Sequence, residues 1–141
     1  MNVKIRKATA EDSDSIFSLV ENFATSFTPE RDALDHSLEQ LLSDASVLMN
    51  VALLENEIVG YCLAFDHYTL YANGRVTWVE EIMTRDDLRK KGIGCELMTS
   101  VEVWAASRNS KLIGLATRRA APFYSAIGYE DSATFFRKLV D

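Results

Sequence analysis

The sequence predicts a mixed α/β (α+β) fold, in the order strand, two helices, three strands, helix, strand, helix, strand. Three observations carry this expectation. The apolar pattern switches repeatedly between a period of two and helical spacing; two polar breaks of hairpin length separate β-rich runs; and no repeat or low-complexity linker divides the 141 residues. That length suits one compact domain, 1–141, with a sizeable hydrophobic core, and is short for two.

The elements follow in chain order. Val3 and Ile5 alternate with Lys4 and Arg6, the period of a half-buried strand. Thr9 or Asp12 then caps a helix that carries Ile16, Leu19, Val20 and Phe23, and a second helix with Leu34, Leu38, Leu41 and Leu42 is expected from Pro29, a residue suited to a first helical position. "SVLMNVALLENEIVGYCLAFDHY" holds two strands around Glu55-Asn56-Glu57, which reads as an antiparallel pair. Asn73-Gly74 marks another turn, followed by a strand from Val76 to Thr84 that two adjacent carboxylates, Glu80 and Glu81, interrupt. Ile93, Leu97, Val101, Trp104 and Ala105 place a helix from the glycines to about Arg108. "KLIGLAT" has the continuous apolar run of a strand covered on both faces, "RRAAPFYSAIGYE" a short helix ended by Gly128, and "ATFFRKLV" a closing strand.

Composition excludes several function classes. Apolar residues make up 48% of the chain and charged ones 26%, which is ordinary for a globular protein and incompatible with general disorder. A net charge of −6 argues against a sequence-independent grip on nucleic acid, and its field favours small cationic partners such as amines. Cys62 and Cys95 form no CxxC pattern and read as buried free thiols; His36 and His67 lack metal-ligand spacing, so no metal is expected. The N-terminus has no apolar targeting core and no run approaches membrane-spanning length, so a cytoplasmic location without membrane attachment is expected.

The chemistry concentrates in "RDDLRKKGIGCELM", residues 85–98, where Arg89, Lys90 and Lys91 crowd against Gly92 and Gly94 just before a helix. The first amides of a helix lack internal partners, the dipole adds partial positive charge, and glycine admits a ligand to the backbone, so this turn is suited to a pyrophosphate. A tight helix entry with solvated cations is the plain alternative. A dinucleotide fingerprint fails, since Leu97 stands where a third glycine belongs; a Walker loop fails for want of Gly-Lys-Ser/Thr.

Thr84, Arg89, Gly92 and Gly94 together resemble the V-x-x-x-x-R-x-x-G-x-G signature of the GNAT superfamily of N-acetyltransferases. Ala120, Phe123, Tyr124, Gly128 and Tyr129 are similar to that family's second signature, and the element order matches along the whole chain. Three departures stand out. Thr84 replaces an aliphatic residue, Thr117 occupies a position where many members have asparagine, and little chain follows Tyr129.

The resemblance implies the GNAT fold, a mixed and mostly antiparallel central sheet flanked by helices, and acetyl-CoA as cosubstrate. It implies that the backbone amides of Lys91, Gly92, Ile93 and Gly94, with Arg89 and Lys90 nearby, bind the pyrophosphate, that backbone groups of Ile82, Met83 and Thr84 pair with the pantetheine arm, and that Thr117 belongs to the coenzyme site. In the family a bulge in this strand opens room for that arm. Glu80 is the first candidate for general base and Glu81 the second; on a regular strand they point to opposite faces, with Glu80 beside Trp78 and Ile82, and a bulge would reverse the assignment. A solvated or ion-paired couple is the structural alternative for the two. Tyr124 is the candidate general acid for the departing thiolate, against a simple core role. The acceptor side falls at about Phe23 to Asp35 and Asp66 to Arg75, with Phe27, Tyr68, Tyr71, Glu30, Asp32, Asp35 and Asp66 as candidate contacts. The expected activity is transfer of an acetyl group from acetyl-CoA to a primary amine of a small molecule or protein, in a chain that forms a homodimer by family habit. The competing reading is a non-catalytic acyl-CoA-binding or sensing domain.

Overall fold

In the computed structural model, which describes residues 2–23 and 26–140, five strands form one sheet in the order β1 (Val3–Lys7), β2 (Val47–Leu54), β3 (Glu57–Tyr68), β4 (Arg75–Thr84) and β5 (Ile113–Leu115). The first four run antiparallel and β5 joins β4 in parallel. Helices α1 (Ser13–Glu21) and α2 (Arg31–Leu42) cover one face, and α3 (Ile93–Ser107) and α4 (Ala121–Ala126) lie on the other. The fold is the mixed, mostly antiparallel sheet that the sequence predicts.

Local chemistry explains the turns. Glu55 and Asn56 both take positive φ, at 52° and 68°, which suits a two-residue hairpin whose twist matches its strands. Asn73 (φ 64°) serves the next hairpin together with Gly74. The start of α2 departs from expectation: Glu30 is its cap and Arg31 its first residue, so Pro29 lies just outside the helix. The predicted first helix is shorter than its apolar pattern, ending at Glu21, and Ala24 and Thr25 lie outside the described residues.

Two cores sandwich the sheet. Toward α1 and α2, Ile16, Leu19, Leu38, Val51, Tyr61 and Met83 pack together; toward α3 and α4, Val59, Val79, Ile93, Leu97, Met98 and Tyr124 do so. Gly60 sets how closely α3 sits, since a Cβ there would lie 2.8 Å from the carbonyl oxygen of Met83 and 3.3 Å from a methyl of Leu97. At the end of the sheet where β5 joins β4, Asp66 is buried and carries Arg108, the cap of α3, and Arg75 of β4 on its two oxygens. The Thr77 and Ser110 hydroxyls, 2.7 Å apart, close the same corner.

Three expectations are corrected. Residues 130–140 form no strand: β5 is only three residues long, too short an edge to carry another ladder, and Phe135 instead stacks on Trp78 at 6.2 Å between ring centroids. For the same reason β5 is half-buried rather than covered on both faces. Cys62 is buried and its thiol pushed up to about 11 by desolvation, but Cys95 is exposed on α3 rather than buried.

Candidate active site

The central irregularity of the sheet is a β-bulge. Leu63 pairs with Glu81 and Ala64 with Val79, which leaves Glu80 as the extra residue on β4. A bulge turns two successive side chains of one strand toward the same side. Glu80 and Glu81 accordingly line one cleft of about 930 Å³, between the sheet and the α1–α2 side. The alternation expected of a regular strand is thus overturned: Glu80 and Glu81 share a face with Met83, whereas Ile82 packs with Val79 on the α3 side.

The bulge also coincides with a parting of strands. β5 pairs only with Thr77, Trp78 and Val79, so β4 beyond the bulge has a free edge. Which groups occupy that edge follows from the ladder. Antiparallel partners alternate between pairs that exchange hydrogen bonds and pairs that do not. The Arg85 N–H donates to the Val59 carbonyl at 2.8 Å and the register runs Met83–Tyr61, so the main-chain groups of Met83 turn toward β3. Those of Ile82 and Thr84 therefore face the free edge.

Beyond Thr84 the chain passes a short turn, Asp86–Leu88, and reaches the glycines. Arg89 pairs with Asp86 at 2.9 Å. Lys90 and Gly92 take positive φ, 64° and 90°, and Gly92 caps α3. Left-handed residues at such spacing turn successive amides outward into a concave nest. Among the described residues, no backbone N–H from Lys90 to Gly94 donates to another residue of the protein. A Cβ on Gly92 would meet nothing within 4 Å, whereas one on Gly94 would stand 3.3 Å from the Phe123 ring, so Gly94 also seats α4 against α3. An exposed, dipole-backed nest of unengaged amides beside Arg89, Lys90 and Lys91 fits a diphosphate.

Tyr124 sits on α4 within the core on the α3 side, edge-on to Phe123 at 4.9 Å and to Tyr129 at 6.0 Å. Burial raises its pKa above the ordinary 10.0, and its hydroxyl makes no hydrogen bond to a described residue. The Tyr129 hydroxyl, by contrast, donates to Glu102 at 2.8 Å. Thr117 accepts the Ala120 N–H at 3.0 Å and so braces the entry to α4.

The acceptor side divides. Phe23, Phe27 and Glu30 line the cleft with the two carboxylates. Asp66 does not, being committed to Arg108 and Arg75; Arg75 in turn covers Tyr68, and Asp35 bonds Arg31 at 3.1 Å. Two cleft residues escaped the sequence reading. Tyr61, fully buried on β3, donates its hydroxyl to Glu81 Oε1 at 2.7 Å, and Arg137 reaches the cleft from the C-terminal segment, donating to Ser26 at 2.8 Å. A tyrosine in the middle of an apolar strand calls for a partner for its hydroxyl, but the sequence does not say which residue supplies it.

The sheet thus parts beyond the bulge, with the two carboxylates on its α1–α2 face and the amide nest following β4 in the chain. The model of the acetyltransferase (GNAT) family matches residues 14–129, and the chain belongs to that family. A curated relative, aminoalkylphosphonate N-acetyltransferase of Salmonella typhimurium, is 27% identical over 139 residues, covering 96% of this chain and 90% of its own. Glucosamine-6-phosphate N-acetyltransferase of Arabidopsis thaliana superposes with a TM-score of 0.88 at 17% identity, over the full length of both chains. An aminoglycoside N-acetyltransferase in complex with CoA superposes with a TM-score of 0.83 at 18% identity, over 97% of this chain and 95% of its own. Members of the family use acetyl-CoA. No described helix is long and apolar enough to cross a membrane, and the described residues hold no cluster of potential metal ligands.

Proposed function

We propose that the chain, as one domain spanning 1–141, is an acetyl-CoA-dependent N-acetyltransferase acting on a primary amine of a small molecule or protein. The observation that carries this reading is the free edge of β4, followed in the chain by the unengaged amides from Lys90 to Gly94. Along it, the main chain at Ile82 and Thr84 would hold the pantetheine arm as a neighbouring strand is held, with Met83 keeping β4 anchored on β3. Lys91, Gly92, Ile93 and Gly94 would take the diphosphate by their amides, with Arg89 and Lys90 adding charge. Thr117 supports the site through the turn that aims α4. Acetyl-CoA supplies the activated thioester.

The chain's residues then divide the proton work across the split sheet. From the α1–α2 face a carboxylate, Glu80 or Glu81, takes a proton from the substrate ammonium so that the amine nitrogen can bond to the acetyl carbon. An edge amide near Ile82 stabilises the oxyanion. From the α3–α4 face Tyr124 gives its proton to the sulfur as the carbon–sulfur bond breaks, and the phenolate left behind regains a proton as the new amide nitrogen sheds its second; burial of the ring raises the pKa and keeps the hydroxyl protonated for that task. The acceptor occupies the cleft, where Glu30, Glu80 and Glu81 favour a cation. Arg137 is the one cation among its described lining residues, and the curated relative is named for an acceptor that carries an acid group beside its amine. Amines bearing a phosphonate or carboxylate are therefore the first acceptors to try.

Release of free thiol from acetyl-CoA, followed across aminoalkylphosphonates, polyamines, aminoglycosides, amino acids and peptides, tests the reading. Acceptor-dependent release is the expected result. Tight acetyl-CoA binding with no turnover for any amine would instead favour an acyl-CoA sensor, and absence of binding would remove both. A cytoplasmic homodimer that engages neither membrane nor nucleic acid completes the proposal, supported by the acidic surface and the exposed apolar side chains near the C-terminus.

A further inference from the structure

We infer that Tyr61 is a positioning residue that selects Glu81, rather than Glu80, as the base; the inference rests on the acetyltransferase reading above. The two carboxylates share a cleft but differ in how they are held. Glu80 is the unpaired residue of the bulge, exposed, and hydrogen-bonded to no described side chain. Glu81 is half-buried and in register with Leu63, and one of its oxygens accepts the Tyr61 hydroxyl at 2.7 Å. Tyr61 itself is rigid: it is 1% exposed, lies in the middle of the central strand β3, and packs among Met49, Val51, Leu63 and Met83. A hydroxyl on so fixed a ring anchors Oε1 of Glu81 and leaves the second oxygen to the cleft.

The direction of the bond follows from burial. Desolvation first, then the nearby Glu81 charge, hold the phenol protonated far above its ordinary value, so Tyr61 is always donor and Glu81 always acceptor. A general base must hold its oxygen within about 0.5 Å of the productive geometry, and a rotamer locked by a support from behind meets that demand better than an exposed bulge side chain. Glu80 then serves as an outer charge at the mouth of the cleft.

A double-mutant cycle tests this on the intact protein, with melting temperature as the control for folding. Glu81→Gln should lower kcat by ~10² to 10⁴-fold, and Tyr61→Phe, which keeps the ring and removes only the hydroxyl, by roughly 10- to 100-fold. Acetyl-CoA affinity should stay unchanged in both. Adding Tyr61→Phe to Glu81→Gln should cost nothing further, while adding it to Glu80→Gln should cost its full effect. A Tyr61→Phe variant with wild-type kcat, or one whose loss persists undiminished beside Glu81→Gln, would overturn the inference. The contact is also read without turnover, since the shielded Tyr61 hydroxyl proton should give a downfield NMR resonance that moves in Glu81→Gln and not in Glu80→Gln; the reverse pattern would overturn it. A wild-type protein that releases no thiol with any acceptor overturns the acetyltransferase reading itself, a result distinct from active variants that behave alike.

Discussion

Tyr124 and Gly92 are the single residues on which the proposed chemistry turns. Replacing Tyr124 by Phe preserves its edge-on contacts with Phe123 and Tyr129, so the fold and coenzyme affinity should survive while kcat falls ~10- to 10⁴-fold. The pH profile adds a sharper check. Burial raises the folded pKa above 10.0, so the hydroxyl stays protonated and competent through neutrality and past that value, and the alkaline limb assigned to it must lie above pH 10. A limb below pH 9 that survives in Tyr124→Phe would belong to another group. For Gly92, a φ of 90° and the open space that a Cβ would enter mean that Gly92→Val meets backbone strain and fills the volume a diphosphate would occupy. Titration calorimetry should show acetyl-CoA binding weakened at least tenfold, about 1.4 kcal/mol, against a modest fall in melting temperature. Both residues were legible in the sequence because their signatures are local. Tyr61 was not legible as a site residue, because its role depends on reaching Glu81 across a ladder, 20 positions away in the chain, which no short pattern encodes.

Among the elements, strands and helices with strong periodicity were readable, and the boundaries set by pairing were not. The bulge is the case in point: Glu80-Glu81 announced an interruption, but only the register of β3 against β4 shows that one residue drops out and both carboxylates turn to one side. "ATFFRKLV" is rich in strand-favouring Thr, Phe and Val but lacks a long enough neighbour, since β5 offers three residues. The start of α1 offers a test of how elements are tied together. Arg6 of β1 grips both oxygens of Asp12, at 2.8 and 2.9 Å, and Asp12 also accepts the Thr9 N–H at 2.8 Å. The Arg6 hydrogen bond chiefly holds the Asp12 pKa below 3.8. Its folded value lies under the unfolded one, so the stabilisation is complete above about pH 4 and disappears as pH falls through the folded value. Arg6→Met should cost about 1 kcal/mol at neutral pH, a figure kept low because Arg6 is 43% exposed. Urea melts of variant and wild type should converge as the pH drops below 3.

At the scale of the whole molecule, the surface is acidic and the C-terminal segment is apolar. Phe136 and Val140 are each 88% exposed, close in sequence to the exposed Phe135 and Leu139, a concentration of uncovered hydrocarbon within one short segment. Light scattering should report a dimer, and Phe136→Asp should return it to a monomer with its fold intact; a wild type that stays monomeric at high concentration would remove the homodimer from the proposal. The overall topology was open to sequence reasoning because hairpin turns and helix starts are written locally, whereas the corner where Asp66 collects Arg75 and Arg108 depends on a contact 42 positions apart in the chain. That corner matters beyond stability. The Asp66 carboxylate ties β3 and β4 to the end of α3, and the Arg108 it holds leads within five residues into β5, whose ladder with β4 is only three residue pairs long. Loosening that rivet should let the two strands drift, so on the proposed reading the gape offered to a coenzyme would be set from the far end of the sheet.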